Sequence, residues 1–420
     1  MNRIYENLDK GLNPISVFMD LSKAFDTLNH EILLKKLEKY GISNTELNWF
    51  QSYLYDRFQC VTYNDKSSRF LKITTGVPQG SILGPLLFLI YINDLPSVTN
   101  LNIIQYADDT CFLIPYSYTT IDEDVLAQTR MINNELHTIH SWLKANKLSL
   151  NIGKTKCMIF HFKQKKILIN PNIKIDNKEL SFVDQYKFLG LKIDNCLSWN
   201  DHINYIANKM SKINGILSKT KHFLPKHILL MMYNSLILPL INYGINLWGF
   251  GNLERLETVQ KKAIRNINKQ SPFTHTIPIC KQLNILYLKD IFDLENLKFF
   301  YKYQHEQLPK YFTKNQFIKT YETCRPNLRV TNPKIFENYI THKVNYCPKF
   351  YIPLQKRTLS KNRISIRIPT LMNINYFPNC IADKIYTHSL SALSIYFKNY
   401  TIASYDPVCH TDNCYICRKY

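Results

Sequence analysis

The sequence predicts an α+β fold: an antiparallel sheet with packed helices, followed by a helical region and a mixed C-terminal region. Three observations predict it. Within residues 1–195 short apolar runs bounded by Gly, Pro and Asp, which read as strands, are interspersed with helical stretches. From Asp201 the spacing changes, and Ile203, Ile206, Met210, Ile213 and Leu217 repeat at helical intervals. Apolar residues make up 45% and aromatic residues 13% of the 420-residue chain, enough to fill real cores.

Ile15 to Leu21 reads as a buried strand. Ser22 to Tyr40 reads as a helix stopped by Gly41, and Asn48 to Arg57 as another. Ser68 to Thr74 reads as a strand leading into Gly76-Val77-Pro78-Gln79-Gly80, and Ser81 to Asn93 as a buried helix. Leu101 to Ala107 and Thr110 to Pro115 flank Asp108-Asp109 in a hairpin pattern. Ile121 to Asn146 is an amphipathic helix with Ile132, Leu136, Ile139 and Leu143 on its apolar stripe. Short strands follow at Cys157 to Phe162, Ile173 to Ile175 and Tyr186 to Ile193. A second helix of the later region starts at Pro225, a good first-turn residue. Beyond about Gln270 the periodicity weakens. The expected domains are 1–195, 196–270 and 271–420.

The chain has 53 Lys+Arg against 32 Asp+Glu, a formal charge of +21. Such an excess points to polyanionic partners, although an AT-rich coding sequence would enrich Lys, Asn, Ile and Tyr in the same way. The eleven cysteines are odd in number and scattered, and Met1 to Lys10 lacks a signal-type apolar core, so they read as reduced intracellular thiols. The run Ser81 to Ile92 is too short to span a bilayer. Leu229 to Phe250 is interrupted by Asn234, Pro239, Asn242 and Tyr243 and reads as buried helix, so no membrane span is required.

Asp20 closes the apolar run Val17-Phe18-Met19. A carboxylate there is costly unless it is paired or binds a cation. Asp108 and Asp109 repel each other on a hairpin tip, and a divalent cation relieves that repulsion. Hard oxygen donors suit Mg²⁺, which usually takes one or two protein carboxylates and completes its shell with water and phosphate oxygens. If the hairpin lies beside the first strand, Asp20 and Asp108 clamp two Mg²⁺ ions for an in-line phosphoryl displacement. Plainer readings exist: Asp-Asp is ordinary turn chemistry, and Asp20 would serve as a helix N-cap.

The surrounding strings favour the metal reading. Phe18-Met19-Asp20-Leu21-Ser22-Lys23-Ala24-Phe25-Asp26, extended by Thr27-Leu28-Asn29-His30, resembles the first carboxylate motif of non-LTR (LINE-type) reverse transcriptases. Gly76-Val77-Pro78-Gln79-Gly80-Ser81-Ile82-Leu83-Gly84-Pro85-Leu86-Leu87-Phe88 resembles their nucleotide-binding motif, and Tyr106-Ala107-Asp108-Asp109-Thr110 their second carboxylate motif. Leu148-Ser149-Leu150-Asn151 with Lys154-Thr155-Lys156, and then Phe188-Leu189-Gly190, are similar to the motifs that follow. The order is the family's. The resemblance covers roughly residues 1 to 270, and the pattern around Asp20 is most like the jockey and CR1-like elements.

The resemblance implies a polymerase palm, a helical thumb and an RNA-directed DNA polymerase activity. Asp20 and Asp108 would ligate two Mg²⁺ with the carbonyl of Leu21, and Asp109 would support them. Phe25 would exclude a ribose 2′-hydroxyl. Gln79 and Gly80 would lie against the incoming nucleotide, and Lys154 would neutralise or protonate the leaving pyrophosphate. Phe188, Leu189 and Gly190 would position the primer end. Phe25 as ordinary core and Lys154 as a solvated surface lysine are the duller rivals. Partners would be an RNA template, a DNA primer or target DNA, and dNTP, with the nucleus as the expected location.

Lys209 and Lys212 lie off the apolar stripe of their helix and would face phosphates. Residues 338–382 hold no Asp or Glu, and Lys356, Arg357, Arg363 and Arg367 suggest a template-RNA or target-DNA surface. Cys409, His410, Cys414 and Cys417 are zinc-binding residue types at a poor spacing, which argues against a site. The sequence starts nineteen residues before Asp20, so the fingers and endonuclease expected from the family would be missing. A catalytically inactive remnant that only binds nucleic acid is therefore the alternative.

Overall fold

The computed structural model describes residues 1–118, 122–165, 167, 170–309 and 384–405. They fall into two compact units, Lys10–Leu197 and Met1–Asp9 with Ser198–Tyr420. Helix α1 (Asn2–Asp9) belongs to the latter. Among the described residues no helix is long and apolar enough to cross a membrane.

The unit Lys10–Leu197 mixes helices with a largely antiparallel sheet. Its elements are β1 (Ile15–Met19), a 3-10 turn (Ala24–Asp26), α2 (His30–Lys39), α3 (Asn44–Leu54), β2 (Phe58–Gln59), β3 (Thr62–Tyr63), β4 (Lys66–Ser67), β5 (Leu71–Lys72) and α4 (Leu83–Ile92). Then come β6 (Asn102–Tyr106), β7 (Asp109–Ile114), α5 (Asp122–Ala145), β8 (Lys156–Ile159), β9 (Lys174–Ile175), β10 (Lys178–Glu179), β11 (Ser181–Phe182), β12 (Gln185–Phe188) and β13 (Leu191–Asp194). The main sheet has five strands in the order β11-β8-β1-β7-β6. β1 is central, pairs antiparallel with β7 and β8, and is buried at every position, which its unbroken apolar run requires. The α5 stripe Ile132, Leu136, Ile139 and Leu143 is fully buried, in one core with Ile15, Val17, Leu87 and Phe88.

Ser22 to Tyr40 is not one helix. Leu21 forms a bridge with Leu150, Lys23 takes a left-handed backbone, and α2 begins only at His30. Asn29 is the cap, its side chain accepting the Ile32 N–H at 3.1 Å. Gly41 (φ +88) ends the segment as expected. Tyr186 to Ile193 is not one strand either. Leu189 and Gly190 both have positive φ and reverse the chain, so β12 and β13 form a tight hairpin.

The second unit is helical among its described residues: α6 (Asn200–Thr220), α7 (Lys226–Met232), α8 (Leu238–Asn242), α9 (Ile245–Trp248), α10 (Glu254–Ile267), α11 (Thr276–Leu283), α12 (Leu288–Gln304), α13 (Lys384–Thr387) and α14 (Leu390–Ala403). The stretch read as one buried helix, Leu229 to Phe250, is broken. A π turn (Tyr233–Ile237) precedes Pro239, and Gly244 takes a left-handed backbone. Pro225 sits at the N-cap of α7, one residue before the first turn.

A buried amide ties this unit together. Gln260 donates through Nε2 to the Tyr233 hydroxyl and the Leu286 carbonyl, both at 3.0 Å, and its Oε1 accepts the Leu288 N–H at 3.0 Å. Gln260→Leu leaves three buried polar groups without that partner, each costing on the order of 1–3 kcal/mol. We expect a loss of about 3 kcal/mol in chemical denaturation, and an unchanged midpoint would refute this account of the core.

Candidate active site

Strand register assembles the carboxylates. Met19 of β1 pairs with Thr110 of β7. One step beyond that pair in each strand stand Asp20 and Asp109, so these carboxylates lie side by side at one end of the sheet. Tyr106 pairs with Asp109, leaving Ala107 and Asp108 as the turn between β6 and β7. Ala107 is in the left-handed region (φ 52), a conformation that disfavours an L side chain and recurs at functional tips. Asp108 and Asp109 are exposed, and Asp20 is half-buried. The Asp109 carboxyl is held above its usual range, first by burial and then by the negative charges of Asp108 and Asp20.

Strand β8 brings a cation to the same end. Phe18 pairs with Lys156, so the segment just before β8 runs past Asp20. Lys154 Nζ lies 3.9 Å from Asp20 Oδ2, with the lysine side chain 73% exposed. Backbone bonds fix the segment: the Asn151 N–H donates to the Asp20 carbonyl at 2.9 Å, and the Ser22 N–H to the Ser149 carbonyl at 2.8 Å. These bonds flank the Leu21–Leu150 bridge, so the ladder leaves the Leu21 carbonyl unengaged. Thr155, fully buried, accepts the Asp20 N–H at 3.4 Å and donates to the Asn151 carbonyl at 2.9 Å.

The loop entering α4 is fastened to the segment after Asp20. The Val77 N–H donates to the Phe25 carbonyl at 2.9 Å and the Gly76 N–H to the Leu28 carbonyl at 2.8 Å. His30 Nε2 lies 2.7 Å from the Gly76 carbonyl, and since a carbonyl only accepts, that nitrogen carries the proton. Gln79 Nε2 donates to Asp26 Oδ1 at 2.8 Å. Gln79 and Gly80 are otherwise open to solvent, and Gly80 has φ +78. The Phe25 ring packs on Phe88 at 4.7 Å between centroids and remains half-buried.

The β12–β13 hairpin leans on the first strand. Tyr186 stacks on Phe18 at 4.1 Å and 13°, and Phe188 meets the same ring at 5.5 Å. Burial raises the Tyr186 phenol, with Asp20 and Asp109 adding to it, so this ring is a near neighbour of the carboxylates. Leu189 and Gly190 form the hairpin turn.

Sequence reasoning gave no role to Asp26, Thr155 or Tyr186. Asp26 stood inside a quoted motif, but its bond to Gln79 spans a sequence separation of 53 residues. Tyr186 and Phe188 alternate along one strand, a same-face signal that was present. Lys209 and Lys212 are exposed on α6, Lys209 over the Tyr205 ring at 4.5 Å. Lys356, Arg357, Arg363, Arg367, Cys409, His410, Cys414 and Cys417 lie outside the described residues.

Among the described residues, no three or more His, Cys, Asp or Glu side chains are grouped to hold a metal ion. Mg²⁺ usually needs only one or two carboxylates, and Asp20 beside the Asp108–Asp109 tip is a donor set of the right chemistry. Burial first and then the charges of Asp108 and Asp20 raise Asp109, and a bound cation would relieve the repulsive part.

This geometry agrees with comparison to known proteins. Residues 5–193 match the family described as Reverse transcriptase (RNA-dependent DNA polymerase). The RNA-directed DNA polymerase from mobile element jockey of Drosophila melanogaster is 25% identical over 305 residues, 69% of this chain and 32% of that protein. Probable RNA-directed DNA polymerases from two transposons of the same fly also match. That of transposon BS is 28% identical over 64% of this chain and 30% of its own. That of transposon X-element is 26% identical over 75% and 34%. The chain therefore carries a reverse transcriptase domain. Its similarity extends to the RNA-directed DNA polymerases of these mobile elements, and it spans about a third of their length.

Proposed function

We propose that this domain is an RNA-directed DNA polymerase that extends a DNA primer on an RNA template. The primer 3′-hydroxyl attacks the α-phosphate of a dNTP, and pyrophosphate leaves. The observation that carries the reading is the strand register that sets Asp20 beside the Asp108–Asp109 tip. Asp20 and Asp108, with the Leu21 carbonyl, are the groups that would hold Mg²⁺, the usual metal of the family. A pair of such ions, when bound, stabilises the attacking and leaving oxygens.

The remaining roles belong to the chain. Lys154, whose ammonium lies 3.9 Å from Asp20, would neutralise or protonate the leaving pyrophosphate. Asp26 holds Gln79 toward the nucleotide. Phe25, whose ring packs on Phe88, would deny room to a ribose 2′-hydroxyl. Phe188, Leu189 and Gly190 present the primer end from a hairpin anchored on Phe18. In this reading Lys10–Leu197 acts as the palm, and Lys209 and Lys212 on α6 give salt-sensitive phosphate contacts as part of a thumb.

Primer extension on an RNA template with Mg²⁺ and dNTPs, beside an Asp108→Asn control, tests this. Extension lost in the control is the expected result. Salt-sensitive binding by both proteins without extension would instead make the chain a nucleic-acid-binding remnant. Phe25→Val is expected to raise relative ribonucleotide use roughly 10- to 100-fold, read as the ratio of kcat/KM for a dNTP and its ribonucleotide. An unchanged ratio would return Phe25 to the core.

A further inference from the structure

Residues 57–72 form an outlying ribbon that contributes no buried residue to the core. β2 pairs with β5 and β3 with β4, and apart from half-buried Cys60 every residue of the ribbon is exposed. A two-stranded ribbon without a covered face is marginally stable in water. This one exposes large apolar rings: Phe58 is 58%, Tyr63 76% and Phe70 70% exposed. Such a surface calls for a partner.

The arrangement of charge identifies the partner. Phe58 stands directly across from Lys72, and Tyr63 directly across from Lys66, so each of these rings shares a face of its strand pair with a lysine. Arg69 adjoins Phe70 in the chain, and Arg57 adjoins Phe58. The nearby carboxylates are Asp56, ion-paired with Lys72 at 2.8 Å, and Asp65 in the β3–β4 turn. The cores of protein–protein interfaces are depleted in Lys. Rings alternating with cations are instead what an unpaired polynucleotide needs, since bases stack on the rings while phosphates meet the cations.

We propose that the ribbon 57–72 is a binding site for single-stranded nucleic acid, with bases stacking on Phe58, Tyr63 and Phe70. It reads no sequence, because every base has a stacking face. A duplex keeps its bases stacked inside and cannot use the rings. The inference does not rest on catalysis by the carboxylates, so it is tested in the full chain carrying Asp108→Asn.

The experiment pairs photocrosslinking with affinity. Single-stranded RNA and DNA probes of roughly 12 nucleotides, substituted with a thio-base, are crosslinked, and adducts are mapped after trypsin digestion. We expect adducts on the fragments 58–66 and 70–72. In anisotropy titrations, Phe58→Ala/Tyr63→Ala/Phe70→Ala is expected to weaken single-strand binding about tenfold or more, with duplex binding unchanged. Tyr63→Trp should keep full affinity. Because these side chains are exposed, circular dichroism should show no loss of fold. Loss on both probes, or on RNA or DNA alone, upholds the site and names the strand it takes. Absence of adducts in 57–72 together with unchanged affinity of the triple variant overturns it.

Discussion

Asp20→Asn is expected to reduce primer extension by about three orders of magnitude while leaving the fold intact. A metal ion contributes several kcal/mol of transition-state stabilisation, and each 1.36 kcal/mol is tenfold in rate. Asparagine keeps the shape of the side chain but removes the charge that would fix the ions. The backbone bond from Asn151 to the Asp20 carbonyl survives the change. The substitution also removes one of the negative charges that raise Asp109. Thermal stability should therefore not fall, even as activity collapses. Adding Asp108→Asn should cost little more, because groups that act as one unit are strongly non-additive. Substantial extension by either single variant would sink the two-metal reading.

How much of this was legible depended on how local each signal is. The buried run of β1, the hairpin around Asp108–Asp109 and the α5 stripe are patterns written in consecutive residues, and all three appear in the fold. Asp20 was legible because a charge ending such a run demands an explanation. Ser22 to Tyr40 misled because its first half spends its backbone hydrogen bonds on distant segments. Ser22 bonds Ser149, while Phe25 and Leu28 bond Val77 and Gly76. No periodicity within the segment reports that. The ribbon 57–72 was half seen, as one strand from Ser68 to Thr74, because its strands are two residues long and carry no buried face to set an alternation. The later region read as mixed after Gln270, yet its described residues there are helical, since α12 and α14 spread their apolar residues around the helix and show little stripe.

Gly76→Ala is expected to cost about 2–5 kcal/mol and to cripple nucleotide use. Gly76 sits at φ +84, a left-handed conformation that costs an L residue roughly 1–2 kcal/mol. Space is the greater obstacle. A Cβ there would stand 2.7 Å from the Asp26 Cα and carbonyl oxygen. Those are backbone atoms, so no rotamer change relieves the contact. Neither strand can retreat cheaply, because the Gly76 and Val77 N–H groups, the Gly76 carbonyl and the Thr75 hydroxyl all bond the segment from Phe25 to His30. Forcing them apart would break the 2.8 Å bond between Gln79 and Asp26, the link that aims Gln79. The expected signature is a lowered melting temperature together with a raised KM for dNTP, with primer-template affinity nearly unchanged. Gly80→Ala is the contrast: at φ +78 it bears the same conformational strain, but its Cβ would meet nothing within 4 Å. If the two alanines cost the same, backbone conformation alone explains Gly76, and its close approach to Asp26 is not what holds the loop entering α4 in place.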